Sequence, residues 1–219
     1  MKLQPIDISA TASASSIVFD ALRKAIIEGR LEEGEPLRQD EIARLFNTSR
    51  IPVREAISRL EEQGLVTSRR YKGAVVAGLS PTETAEVFDL RALIEPEIIR
   101  DAVPRMTDRL LTEAREKCAA FSAATDPMAY GDLNRDFHET LYRASELKYF
   151  KEIASNAIDR VERQVRAQLV LSDGMQRAGS EHHAILQACE QGDADRAADL
   201  TRDHIRGAKA SLLTHFPKG

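Results

Sequence analysis

Residues 39–72 read QDEIARLFNTSRIPVREAISRLEEQGLVTSRRYK, and this stretch decides the fold of the N-terminal part of the chain. It divides into a short helix, a tight turn, a longer helix and most of a hairpin. The short helix is expected over residues 39–46, with Ile42, Leu45 and Phe46 on one face. Asn47-Thr48-Ser49 supplies the turn, and Ser49 is suited to cap the next helix because a short hydroxyl can accept from a first-turn N–H. Pro52 falls in that first turn, where a missing N–H leaves no bond unmade. Val53, Ala56, Ile57 and Leu60 follow at i, i+3, i+4 and i+7, an apolar stripe that faces a core. Gly64 stops the helix as a C′ glycine does. Residues 65–67 and 74–76 are strand-like, with a turn over 68–73.

The opposite face of the longer helix carries the chemistry. Arg50 and Arg54 lie four apart and project from one side near the helix start. Two arginines there, on a helix preceded by a buried one, suit the DNA major groove. The hairpin tip adds Arg69, Arg70 and Lys72, and Gly73 permits close backbone approach. Such a wing would lie along an adjacent groove or the phosphate backbone. Two arginines alone fit a solvated face equally well. The whole run of helix, turn, capped helix and basic wing favours DNA.

These residues also resemble a known family. Residues 37–77 look like the winged helix-turn-helix of the GntR family of bacterial transcription regulators. The similarity rests on Ser49-Arg50-Ile51-Pro52-Val53-Arg54-Glu55-Ala56 followed by Leu60-Glu61-Glu62-Gln63-Gly64-Leu65-Val66. The resemblance implies that Arg50 and Arg54 contact bases and that Gly73 lies near the minor groove. Some members carry a further DNA-contacting arginine where Asp40 stands here, and Arg38 is the neighbour placed to take over part of its role.

The chain has 219 residues, 42% hydrophobic and 30% charged, an ordinary globular composition. No apolar run approaches a membrane span, and no basic-then-apolar leader precedes the first helix. Cys118 and Cys189 are isolated, as expected of reduced thiols in a cytoplasmic protein. The net charge of −4 looks wrong for a DNA binder until it is divided. Residues 1–78 hold 12 Lys/Arg and 11 Asp/Glu, against 19 and 24 in residues 79–219. Within 49–73 there are six basic and three acidic residues, so positive charge gathers on the groove-facing elements.

Residues 1–14 are weakly patterned and read as a flexible arm. Ser15 or Ser16 can cap a helix to about residue 28, with Ile17, Leu22, Ala25 and Ile26 on its apolar side. Ser80-Pro81-Thr82-Glu83 is a capping box with proline at N1, so a new domain starts there. Six helices are expected beyond it, at about 81–102, 107–123, 127–145, 147–171, 174–191 and 194–214. Pro96 falls inside the first and should kink it. The expected fold class is therefore mainly α. A winged helix-turn-helix of three helices and a two-stranded wing occupies 15–78, and an antiparallel all-α bundle occupies 79–219. The second part resembles the FCD effector domain of one GntR branch, a weaker similarity than the first.

All five histidines lie after residue 137. His182 shares a stripe with Ile185, Leu186 and Cys189, so it points inward, whereas His183 lines up with Gln187 and Glu190. The last two helices turn at Gly192-Asp193, and His182 and His204 are each 11 residues from 193. They are therefore level on an antiparallel hairpin. His138 and Asn134 are four apart on the stripe that carries Leu141. Bundles build metal sites from such inward pairs plus ligands from facing helices. Imidazoles suit zinc, nickel and similar divalent ions. A lone buried histidine is usually a satisfied core residue, but three converging inward ones favour a metal. The family resemblance implies the same set. Metal-binding FCD domains have Asp-x-x-x-His in one helix and two histidines in the last two, matched by His138, His182 and His204, with Asn134 in the aspartate position. Arg91 matches an arginine that often faces the effector pocket; an ion pair with Glu95, at i+4, is the plainer reading.

The expectation is a cytoplasmic, homodimeric repressor that binds a palindromic double-stranded operator and no membrane. A small organic acid would control it at a zinc-containing, or other divalent-metal, pocket. A metal-free sensor of the same architecture is one alternative. A metalloenzyme fused to a DNA-binding module is weaker, because no HExxH or comparable motif supplies a general base beside the metal.

Overall fold

In the computed structural model the chain forms two compact units that divide between Gly78 and Leu79. Residues 13–126, 129–171 and 174–215 are described, without the side chains of Ala167, Gln168, Val170, Leu171 and His215. The expected arm falls almost wholly outside these residues.

The first unit begins with α1 (Ala14–Ile27). Its N-cap is Ser13, whose hydroxyl accepts from the Ser16 N–H at 3.1 Å, so the helix starts before the serines expected to cap it. Its inward face is Val18, Phe19, Leu22, Ile26 and Ile27, while Ile17 is exposed. Val18, Leu22 and Ile26 repeat every four residues and set the inward stripe, and Ile17 is turned about a quarter turn off Val18. Next come α2 (Gln39–Leu45) and α3 (Arg50–Glu62). Ile42 and Ala43 are the buried residues of α2, and Leu45 is 80% exposed, against expectation. Phe46, one turn after Ile42, packs inward in its place.

Helix α3 buries Val53, Ala56, Ile57 and Leu60, the stripe read from the sequence. Ser49 occupies its N-cap but makes no side-chain capping bond. Its end is closed by Gly64 at φ 70°. The Gly64 N–H donates to Glu61 O and the Leu65 N–H to Leu60 O, both at 2.9 Å, the paired bonds of a Schellman motif. A side chain at Gly64 would be forced into the left-handed region, so Gly64→Ala should destabilise the unit by about 1–2 kcal/mol. A urea titration reads this as a lower midpoint at unchanged slope.

The wing is β1 (Val66–Arg69) and β2 (Gly73–Val76), paired antiparallel with Val66 opposite Val76 and Arg69 opposite Gly73. The strands extend further toward the tip than the sequence suggested, and Arg69 lies in β1 rather than in the turn. Backbone at 34–37 covers the other edge of β2, through Leu37 N–H to Ala74 O and Val76 N–H to Glu35 O at 2.9 Å. The outer edge of β2 is thus paired at its base, and the basic tip of the hairpin projects beyond it.

The second unit holds α4 (Pro81–Ala102), a short 3-10 turn (Val103–Arg105), α5 (Asp108–Ala123), α6 (Tyr130–Tyr142), α7 (Lys148–Leu171), α8 (Gly174–Glu190) and α9 (Ala194–His215). The capping box is present: the Ser80 N–H donates to Glu83 Oε2 at 2.9 Å and the Glu83 N–H to Ser80 Oγ at 3.2 Å. Helix α4 continues through Pro96 to Ala102. Gly192, at φ 70°, reverses the chain between α8 and α9. The core is built from the inward stripes of these helices, among them Ile98 and Ile99 of α4, Phe121 of α5, Phe137 and Leu141 of α6 and Ile185 of α8. No helix among the described residues is long and apolar enough to cross a membrane.

Candidate functional site

In the first unit, α3 presents Arg50 and Arg54 on its exposed face, one turn apart, and the wing presents Arg69, Arg70, Lys72 and Gly73, all exposed. Arg38 and Ser49 are exposed as well, at the N-caps of α2 and α3. Arg54 makes no ion pair among the described residues. Arg50 does: its Nε contacts Asp40 Oδ1. Arg38 donates from Nη1 to Glu41 Oε1 at 3.0 Å. The acidic residue at position 40 thus holds one of the two exposed arginines of α3, a role the sequence reading did not give it. The sequence reading also missed Tyr71, 91% exposed at the wing tip and held at φ 67°. A bulky residue rarely adopts that conformation, and here the guanidinium carbon of Arg70 lies 5.0 Å from the Tyr71 ring centre. The side chains of α3 and the wing tip together offer bidentate donors for base edges and point charges for phosphate.

In the second unit, the three inward histidines converge. His138 of α6, His182 of α8 and His204 of α9 are all buried, and one ring nitrogen from each can be chosen so that all lie within 4.8 Å of one another. Their ring centres are 4.9–5.0 Å apart. Phe121 and Phe137 flank His182, with ring centres 4.6 and 4.4 Å away. Neither ring nitrogen of His182 has a hydrogen-bond partner among the described residues, nor has His138 Nε2. Buried polar nitrogens are normally satisfied, so this concentration of unpaired ones calls for a ligand. Burial pushes the pKa values of His138 and His182 well below the ordinary histidine range, aided by their imidazole neighbours and, for His138, by Arg91. They are therefore neutral, the form in which imidazole binds a metal. His204 differs, for its Nδ1 lies 2.7 Å from Glu181 Oε2. Asn134 is half-buried one turn before His138 on the same helix. His183 is exposed, as expected, and lies near Cys118 and Ser122 of α5.

The donor set fits a divalent transition ion such as zinc. The cysteines do not contribute: both are free and buried, and burial pushes the thiols up to about 11 for Cys118 and about 12 for Cys189. Arg91 points into the bundle. Its Nε donates to Glu95 Oε1 at 2.6 Å, and the Tyr142 hydroxyl donates to Glu95 Oε2 at 2.7 Å. Burial disfavours the Arg91 charge, but the Glu95 carboxylate outweighs that and keeps its pKa above the ordinary value. Tyr142 in turn lies 6.0 Å from His138, ring centre to ring centre. The ion pair with Glu95 is therefore present, and it adjoins the histidine cluster.

Residues 14–76 match the gntR family of bacterial regulatory proteins, and residues 86–207 match the FCD domain. The chain belongs to the GntR family, in the branch with a C-terminal FCD domain. A transcriptional regulator of this family from Pseudomonas syringae pv. tomato str. DC3000 is 30% identical, with 92% of this chain and 85% of that one covered at a TM-score of 0.55. A putative GntR regulator from Rhodococcus sp. RHA1 shares the fold at 22% identity and a TM-score of 0.80, over 94% of this chain and all of that one. The gluconate operon transcriptional repressor of Bacillus subtilis (strain 168) is 32% identical over 159 residues, 70% of this chain. That match spans 64% of the relative's own length.

Proposed function

We propose that this GntR-family chain is a transcriptional repressor that binds a palindromic operator as a homodimer and is controlled by a small carboxylate. The single observation that carries the regulatory half is the buried cluster of His138, His182 and His204 with three unpaired ring nitrogens. Asn134, His138, His182 and His204 would hold one divalent ion, zinc or a related metal such as nickel. When bound, that ion supplies a positive charge that no protein carboxylate directly neutralises, and hence an attraction for an anion. Arg91, paired with Glu95, stands beside His138 as a second candidate carboxylate partner. Glu95 holds its guanidinium, Tyr142 donates to the other Glu95 oxygen, and Phe121 and Phe137 pack against His182. The name of the gluconate operon repressor, a relative at 32% identity, supports a carboxylate of sugar-acid type.

On the DNA side, Arg50 and Arg54 read base edges, and Arg69, Arg70 and Lys72 bind backbone, with Gly73 allowing the wing to approach. One recognition helix covers few base pairs, so specific binding requires two copies on a two-fold site. An effector changes operator affinity only as far as it binds two arrangements of the protein unequally.

Operator sequences selected from random DNA provide the test. Bound operator is titrated with small carboxylates, sugar acids included, for zinc-loaded protein and for His182→Ala/His204→Ala. A palindromic site and a carboxylate that releases only the loaded wild type are the expected results. Release of both proteins at one concentration would leave the metal out of the mechanism.

A further inference from the structure

Glu181 directly precedes His182 on α8, yet its carboxylate reaches the histidine of the neighbouring helix. Glu181 Oε2 lies 2.7 Å from His204 Nδ1. We propose that Glu181 is the positioning residue of the metal centre, fixing the tautomer in which His204 offers Nε2 to the ion. The proposal rests on the metal reading given above.

The chemistry of the pair sets the tautomer. A carboxylate only accepts, so the proton of a neutral His204 must sit on Nδ1, leaving the lone pair on Nε2. An imidazole that donates to a carboxylate is also the stronger base at its other nitrogen. That matters here because the four candidate ligands, three imidazoles and an amide, carry no negative charge. Glu181 supplies charge through His204 without occupying a coordination position.

A second tier of contacts holds Glu181. Arg177, one turn earlier on α8, lies with its Nε 4.0 Å from Glu181 Oε1. Its Nη1 rests against Gly207 on α9, where a Cβ would come within 2.6 Å of it and 3.7 Å of Glu181 Oε1. Gly207 is one turn beyond His204, so the missing side chain opens the space through which Arg177 and Glu181 approach the histidine. The arrangement Arg177–Glu181–His204 thus crosses the α8–α9 hairpin at the height of the cluster. A chance surface pair would not account for His204 being buried with its ring 5.0 Å from both other histidines.

The experiment uses the full chain stripped with a chelator and titrated with cobalt(II). Wild type should bind one cobalt, and His182→Ala should not. Glu181→Ala should bind roughly 10–100-fold more weakly than wild type, with a shifted visible d–d spectrum. Glu181→Gln keeps an acceptor but no charge and should fall between the two. Nitrogen NMR of the metal-free protein should show His204 protonated on Nδ1 in wild type and in Glu181→Gln, and as a tautomer mixture in Glu181→Ala. Thermal melts report whether each variant is folded, and Glu181→Gln serves where Glu181→Ala is not. If both Glu181 variants bind cobalt as wild type does while His182→Ala loses it, the positioning role is overturned and the metal centre stands. If wild type binds no cobalt, the metal reading itself falls, and the role proposed for Glu181 falls with it.

Discussion

His182→Ala is expected to remove divalent-metal binding from this protein, lowering zinc or cobalt affinity by about a thousandfold or more. Loss of an outer partner of a metal ligand typically costs about 10–100-fold, and loss of the ligand itself costs more. His182 is the best probe because its surroundings offer it nothing else. It is fully buried between Phe121 and Phe137, and both ring nitrogens lack hydrogen-bond partners among the described residues. An imidazole so placed costs about 1–3 kcal/mol for each unsatisfied group. A core position that needed only volume would be better filled by leucine or phenylalanine. Two opposite stability changes should therefore accompany the binding loss. Zinc at 100 times its dissociation constant should stabilise wild type by about 2.7 kcal/mol and His182→Leu not at all. Without metal, His182→Leu should be at least as stable as wild type, because it removes two orphaned nitrogens. Calorimetric melts with and without zinc check both. Equal zinc shifts in wild type and His182→Leu would show that the ion binds elsewhere.

The sequence carried the helical pattern well because the stripes of α3, α4 and α8 are long and regular. Val53, Ala56, Ile57 and Leu60 went to the core as their spacing required. Short elements were less legible. At the end of α2, of seven residues, Leu45 and the C-cap Phe46 compete for one inward position, and only the packing decides that Phe46 takes it. The convergence of His138, His182 and His204 was legible in part, because a three-residue turn between α8 and α9 makes equal distances from it equal heights. What spacing does not reveal is side-chain reach across elements. Asp40 meets Arg50 across the turn of the helix-turn-helix, and Glu181 meets His204 across the hairpin. Both pairs join residues that a one-dimensional pattern treats as separate. Arg91 shows the reverse case, since its i+4 partner Glu95 was predictable but Tyr142, which completes the network, was not.

Arg54→Ala is expected to weaken operator binding by about 1–3 kcal/mol, roughly 5–150-fold, and to relax base preference at one position in each half-site. Arg54 stands on the exposed face of α3 with no ion pair among the described residues, so nothing must be broken before it donates to a base. Arg50 is different, because Asp40 already holds it. Both members are well exposed, so the pair contributes little to stability, and its effect is on where the guanidinium points. Removing Asp40 deletes a negative charge from the proposed DNA-binding surface, and it also frees Arg50. Asp40→Ala should therefore tighten binding to all DNA while lowering the ratio of operator to random-sequence affinity. Lys72→Ala should do neither. It should weaken both kinds of DNA alike and reduce the slope of log affinity against log salt by about 0.9 for each phosphate that is no longer neutralised. The three variants thus separate base reading, orientation and backbone attraction in one set of anisotropy titrations on operator and scrambled duplexes. Arg50→Ala/Arg54→Ala should bind the two duplexes with nearly equal affinity. A double variant that still preferred operator as strongly as wild type does would move the reading surface off α3.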